Sequence, residues 1–331
     1  VPHDDPHDVH PPRLHHDALA SRTVFVAPRR AHRPTFNAGP GGDAVADCPF
    51  CAGNESLTPP AVMRFPEAVE TPWHVRIIPN QFPVVEHGPS PAQPGPAVGG
   101  ERTAHGVHEV VVESAAHDRT ILALDPLRWR DVWELCRRRL AALADRDDLA
   151  WATVFKNSGP GAGSSVDHLH SQLIALDFVP PAMRAELAAV GAADAFGALL
   201  RHAGAEGRIV AEAGDLVALV PPAPRQPFET WILPREPEPH FHAAARSRAD
   251  ALADLTRLVV GRLDRLAPGA DYNWWLHQAP FARRAPAAGG RWHWHLEILP
   301  RLSGLAGFEL GTGCHITTAG AAVSAQRLRD A

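Results

Sequence analysis

A chain of 331 residues with 45% hydrophobic content is long enough for two ordinary domains or one large one, and it can fill a real core. Its net charge of -5, with the basic residues scattered, excludes the whole-protein phosphate attraction that drives nucleic-acid binding, while a small anionic ligand stays within reach. No apolar run approaches the roughly 18 residues that span a bilayer, and the opening VPHDDPHDVHPPRLHHD is polar and proline-rich rather than signal-like, so a cytoplasmic protein without membrane attachment is expected.

In chain order, residues 1–20 read as a disordered or extended tail. Runs rich in β-branched and aromatic residues predict strands at 22–28, 73–78, 107–113, 150–156 and 169–177. CPFC at 48–51 is a CxxC pair, which outside an oxidising compartment means metal or redox chemistry; four cysteines in so long a chain are no disulfide framework. The proline- and glycine-rich segment 87–106 predicts a loop. Trp129, Val132, Trp133, Cys136, Leu140 and Leu143 follow helical spacing, which makes Cys136 a core residue. The second half repeats the order, with strands near 216–220, 228–233, 271–277 and 292–299 and a helix lined by Leu252, Leu255, Val259, Leu263 and Leu266. Each half closes on a His-x-His strand, His168/His170 and His293/His295, which points to internal duplication. The predicted fold is α+β: two tandem units, 21–198 and 199–331, each an antiparallel sheet packed with a long helix.

Alternate residues of a strand share a face, so His168, His170 and Gln172 project together. An isolated pair of this kind is usually a solvated edge. Here FKNSGPGAGSS (155–165) precedes it, and a loop with three glycines and three hydroxyls can offer backbone N–H groups to phosphate oxygens, although it is no Walker loop. Lys156, the single lysine of the chain, would add a favourable charge there. The two thiolates of CPFC supply half of a tetrahedral zinc site, with histidines as the usual complement; a thioredoxin-like redox pair is poorly supported, because a turn and not a helix follows.

PRRAHRP (28–34), CPFCAGNE (48–55), VRIIPNQFP (75–83), HEVVVESAAHD (108–118), the block from FKN to HLHSQ (155–172) and WHWHLEILPRLSGLAGFELGTGC (292–314) together resemble the galactose-1-phosphate uridylyltransferase family of the histidine triad superfamily. The resemblance runs from about residue 20 to the end. It implies a structural zinc on Cys48, Cys51, His117 and His168, a nucleophilic His170, and a Gln172 that hydrogen-bonds the α-phosphate. It places Arg30, Arg33, Asn80 and Phe82 near the nucleotide, with Asn157, Gly163, Ser164 and Ser165 as donors to phosphate. Glu186, His277, His293 and His295 would hold a second metal, iron or zinc. The cysteine pair that other members carry near the start of the second unit is missing, though His202 and His240 could retain part of that site. Glu309 in GFELGTGC would read the sugar, yet this segment also resembles the ADP-glucose phosphorylase branch, and His315 stands where the family has glutamine. Glu297 replaces the glutamine on the second strand, which argues against a second active site.

The activity implied is ping-pong transfer of a nucleoside monophosphate between an NDP-sugar and a sugar 1-phosphate, with UDP-glucose and galactose 1-phosphate as leading substrates and a homodimer as the assembly. An ADP-glucose phosphorylase using inorganic phosphate is the second reading. A zinc-stabilised nucleotide-binding protein without turnover is the third.

Overall fold

VRIIP and GVHEVVV are apolar along most of their length and buried along nearly all of it, the pattern of strands covered on both faces. The computed structural model describes residues 11–17, 22–32, 48–88, 101–192, 194–281 and 291–331. Its first part runs β1 (Arg13–Asp17), β2 (Arg22–Val26), β3 (Met63–Phe65), β4 (Val75–Pro79), β5 (Glu101–Thr103), β6 (Gly106–Val112), α1 (Pro126–Ala144), β7 (Trp151–Ser158) and β8 (His170–Leu176). Then come α2 (Pro181–Ala192), α3 (Ala195–Ala205), β9 (Ile209–Ala213), β10 (Leu216–Leu219), β11 (Thr230–Pro234), α4 (Arg246–Leu266), β12 (Tyr272–His277), β13 (His295–Pro300), α5 (Gly307–Thr312) and α6 (Ala321–Asp330).

The fold is mixed α+β. Ten strands form one antiparallel sheet in the order β3-β4-β6-β8-β7-β12-β13-β11-β10-β9, so it continues from the first half into the second through β7 and β12. The expected division at residue 198 falls inside α3. Within this sheet β8 lies between β6 and β7, and β13 lies between β11 and β12.

Helix α1 starts where it should: Asp125 caps the N–H groups of Leu127 and Arg128, and Pro126 takes the first helical position. Its buried face meets α4, where Trp129 Nε1 donates to Ala253 O (3.1 Å) and Thr256 Oγ1 (3.0 Å). Trp129, Trp133 and Trp274 pack together beneath the sheet with ring centres 5.9–6.2 Å apart, the first two edge to face and Trp274 tilted against both. Cys136 lies in this core, as its spacing predicts.

Four differences from the sequence reading have local causes. Residues 13–17 of the expected tail form β1, because Leu14 is buried with Val85, Trp151 and Leu176 and the strand pairs with β2 and β5. Residues 101–103 of the expected loop are β5. β8 begins at His170 because Leu169 bonds the 113–118 turn instead of a ladder partner, its N–H donating to Asp118 O at 2.7 Å. β13 begins at His295, while Trp294 N–H donates to Glu238 O.

Candidate active site

Cys48 and Cys51 sit in a tight turn, Cys51 N–H donating to Cys48 O, beside the 113–118 turn and the residue before β8. These three segments bring Cys48, Cys51, His117 and His168 together, their ligand atoms all within 4.8 Å of one another. Cys48 Sγ is 3.4 Å from His168 Nδ1, and Cys51 Sγ is 3.4 Å from His117 Nδ1 and 3.6 Å from His168 Nδ1. Zinc bonds of roughly 2.3 Å to sulfur and 2.0–2.1 Å to nitrogen put tetrahedral donors about 3.5 Å apart, so the set fits a metal. Electrostatics agree. His168 Nε2 donates to Ser114 O at 3.0 Å, which leaves Nδ1 as the lone pair toward the sulfurs, and burial pushes its pKa down to about 4, the neutral ligand form. Burial and the neighbouring Cys48 push the Cys51 thiol up to about 12, and a cation is what would let the pair ionise.

His170 and Gln172 project from the same face of β8, one residue apart on the sheet. The His170 ring lies 5.4 Å from that of Phe50. Its Nδ1 is 2.7 Å from His168 O, an acceptor only, so Nδ1 carries the hydrogen and Nε2 the lone pair. Two cavities meet at His170. One, of about 200 Å³, is lined by Arg119, Asn157, Ser158, Gly159, Ser164 and the 166–170 segment. The other, of about 70 Å³, is more apolar and lined by Phe50, Pro59, Asn80, Phe82, Val110 and Gln172 among others. A polar chamber and an apolar slot on either side of an imidazole suit a phosphate chain and a flat ring.

Other expected residues fall differently. Asn80 and Phe82 line the slot. Arg30 does not; its Nη1 donates to Phe82 O at 2.7 Å, so it braces the slot wall from behind, and burial lowers its pKa. Arg33 lies outside the described residues. Asn157 lines the chamber and is held by Asn273 of β12, whose Nδ2 donates to Asn157 Oδ1 at 2.8 Å. The glycine loop departs from the expected phosphate cradle. Gly161 N–H donates to Asp271 Oδ2, Gly163 N–H to Pro160 O, and Ser164 N–H to Gly159 O, so these amides are occupied. Ser164 contributes to the chamber wall, and Ser165 Oγ is buried without a protein partner. Lys156 is likewise not a free charge: wholly buried, it donates to Glu113 Oε2 (2.5 Å) and to the carbonyl of His170 (2.7 Å), while Ser171 Oγ donates to Glu113 Oε1. Glu309 is on the exposed α5, accepts from Ala306 N–H, and lines neither cavity.

A second donor group joins Glu186, His277 and His295. Glu186 Oε2 is 2.9 Å from His277 Nδ1, and Oε1 is 3.2 Å from His295 Nε2. Neither nitrogen makes a well-aligned hydrogen bond although both are buried, which fits a shared cation. His293 is not part of it: its Nδ1 faces Pro234 O at 2.8 Å and its ring packs on Phe196. Glu297 is close instead, with Oε1 at 3.7 Å from His277 and 3.6 Å from His295. Despite burial, the nearby His295, His277 and Arg225 hold the Glu297 carboxyl down at about 2. Neither His202 nor His240 joins a metal-binding group among the described residues.

Sequence reasoning missed Glu113, Asp271, Asn273 and Arg119. Each acts through a partner more than 40 residues away, and no local spacing announces that.

The comparisons with known proteins agree with this geometry. A family profile described as galactose-1-phosphate uridyl transferase, N-terminal domain, matches residues 11–180, and a domain of unknown function (DUF4921) matches residues 113–331. An ADP-glucose phosphorylase of Arabidopsis thaliana is 33% identical over 92% of this chain and 89% of its own. A galactose-1-phosphate uridylyltransferase of Thermotoga maritima is 24% identical over 96% and 98%. The crystal structure of an Arabidopsis thaliana ADP-glucose phosphorylase with bound ADP-glucose superposes with a TM-score of 0.76 and 29% identity, covering 97% and 99% of the two chains. With half of its length under the family profile and a relative of that similarity across nearly all of it, this chain belongs to the galactose-1-phosphate uridylyltransferase family and is an enzyme of the nucleotidyltransferase type.

Proposed function

We propose that this chain transfers a nucleoside monophosphate from an NDP-sugar to a second phosphate compound through a covalent nucleotidyl-His170. The observation that carries it is the His170 imidazole, fixed by its Nδ1–H on His168 O, at the junction of a polar chamber and an apolar slot. The Nε2 lone pair attacks the α-phosphorus. A nitrogen–phosphorus bond forms as the bond to the bridging oxygen breaks, and the sugar 1-phosphate leaves with the electron pair. An oxygen of the acceptor phosphate then attacks the same phosphorus and returns the electron pair to Nε2. Neither displacement needs a proton moved, since a neutral imidazole is already nucleophilic and a phosphate acceptor is already ionised. The Gln172 amide donates to a non-bridging oxygen as charge grows there, and it cannot shuttle a proton, which disfavours attack by water.

For the donor and acceptor, ADP-glucose with inorganic phosphate is the reading we favour. The Arabidopsis relative and the structure with bound ADP-glucose support it, as does the GFELGTGC segment. UDP-glucose with galactose 1-phosphate, placed first by the sequence, is the second, supported by the Thermotoga relative. The intact pair His170 and Gln172 argues against a binding protein without turnover. Zinc is the metal we assign to Cys48, Cys51, His117 and His168, where its chemistry is to hold three chain segments beside His170. Iron or zinc suits the group of Glu186, His277 and His295. A role for Glu309 in reading the sugar would call on a second copy of the chain: α5 and its surroundings expose Phe308, Leu310 and Ile316, and Glu309 lines neither cavity at His170.

The test incubates the protein with ADP-glucose or UDP-glucose, each with phosphate or galactose 1-phosphate, and follows release of glucose 1-phosphate. ADP-glucose with phosphate should give the fastest release and form ADP. Faster turnover of UDP-glucose with galactose 1-phosphate would select the second reading, and no turnover of any pair would contradict both.

A further inference from the structure

Behind Gln172, on the neighbouring strand β6, lies a buried histidine, the first residue of the HEVVVESAAHD block, to which the sequence reading gave no role. His108 is 6% exposed and lines neither cavity. Its backbone carbonyl accepts from Asn80 N–H at 2.9 Å, and its ring lies between the wall of the apolar slot and the side chain of Gln172. The Val84 backbone N–H donates to His108 Nδ1 at 3.2 Å. A backbone amide can only donate, so Nδ1 is the bare nitrogen, and a neutral imidazole then carries its hydrogen on Nε2. Gln172 Oε1 stands 3.0 Å from that Nε2. Asn80 Nδ2 is 3.1 Å from the same atom, but two donors make a contact and not a hydrogen bond; Asn80 is held there by its Oδ1, which accepts from Phe82 N–H at 2.8 Å.

A glutamine amide is nearly symmetric in shape and chooses its orientation from its partners. With Nε2–H of His108 facing it, Gln172 must turn its oxygen toward β6 and its NH2 away. Gln172 lines the slot beside His170, and among the described residues none accepts from its Nε2. The amide is therefore aimed as a donor into the site before any ligand arrives.

We infer that His108 is a positioning residue: through the chain Val84 N–H, His108 Nδ1, His108 Nε2–H and Gln172 Oε1, the backbone dictates that Gln172 meets the reacting phosphate as a donor. This rests on the proposed contact between Gln172 and the α-phosphate. Without His108 the amide could flip, and its oxygen would then oppose the phosphate oxygens. The device also couples the slot to the chemistry, because Asn80, Phe82 and Val84 belong to the segment that His108 holds against β6.

A double-mutant cycle tests it, read as the rate of nucleotidyl-protein formation with ADP-glucose and with UDP-glucose. Gln172→Ala should slow that step by about 100-fold, and His108→Phe by about tenfold; on the Gln172→Ala background, His108→Phe should change the rate by less than about twofold. Equal losses from His108→Phe in both backgrounds, or none in either, would overturn the positioning role alone. Wild-type rates in Gln172→Ala would overturn the role of Gln172 and this inference with it. Should His108→Phe fail to fold, the pair His108→Gln and His108→Asn decides. Glutamine places a donor where Nε2 stands and should keep most of the rate, whereas asparagine reaches only the Nδ1 position and should lose as much as phenylalanine. The reverse order would contradict the inference.

Discussion

The Lys156 ammonium and the Glu113 carboxylate are each 1% exposed and 2.5 Å apart, directly beneath the backbone of His170. Burial lowers the lysine pKa and the Glu113 charge opposes that, so the pair holds as long as both partners stay. Lys156→Met leaves a buried carboxylate unpaired and should cost about 3–5 kcal/mol of stability; Lys156→Met with Glu113→Gln removes both charges and should cost much less. Urea denaturation of the two variants checks this, and equal losses would contradict it. The sequence offered the candidate reactive residues at this scale more readily than their supports. His170, Gln172 and the Cys–His set follow from spacing and resemblance because their chemistry lies in residue type. Lys156 was legible as a lone lysine, but its partner Glu113 lies just past the end of β6, 43 residues earlier, and only the sheet brings them together. His293 fails as a ligand for a related reason: β13 starts three residues later than its apolar pattern suggests, and the ring turns to Pro234 O.

Among the elements, the glycine loop is where pattern reading went furthest astray. Its composition suits a phosphate cradle, yet its amides close on themselves and on Asp271, so the glycines serve a close approach between loop and β12. Gly159 has a φ of 87°, and a Cβ there would fall 1.6 Å from Asp271 Oδ1. Gly159→Ala should therefore cost about 1–3 kcal/mol and raise KM, since Gly159 lines the chamber; an unchanged melting temperature would show that the loop relaxes freely. The Cys–His group that could hold a metal joins three segments that also pack in one small apolar cluster, and a metal that binds only the folded chain adds its binding free energy to folding. Cys48→Ser should remove about one metal ion per chain and lower the melting temperature, measured by elemental analysis and calorimetry. The long helices and central strands were legible because their apolar periods are long and regular. The short strands β1, β3, β5 and β9 were not, since three to five residues carry too little pattern.

Over the whole molecule, one antiparallel sheet carries both His-x-His strands, and β7 with β12 forms the seam between them. The two strands share one device. His170 and His295 each donate Nδ1–H to the carbonyl two residues back, at 2.7 and 3.1 Å, and each turns Nε2 outward. Their neighbours then divide the roles: glutamine follows His170, while Glu186, His277 and Glu297 surround His295 with carboxylates and a second imidazole. The α+β class was readable from the sequence, but the continuous sheet was not, because the pairing of β7 with β12 joins residues more than 110 positions apart. No helix among the described residues is long and apolar enough to cross a membrane. The central claim is that His170 carries the nucleotide, and intact-protein mass spectrometry tests it most directly. Wild-type protein incubated with ADP-glucose or UDP-glucose, without acceptor, should gain the mass of one nucleoside monophosphate, lose it when acceptor phosphate is added, and gain none in His170→Ala with an unchanged metal content. An adduct that persists in His170→Ala, or wild-type turnover with no adduct at any time, would contradict the account.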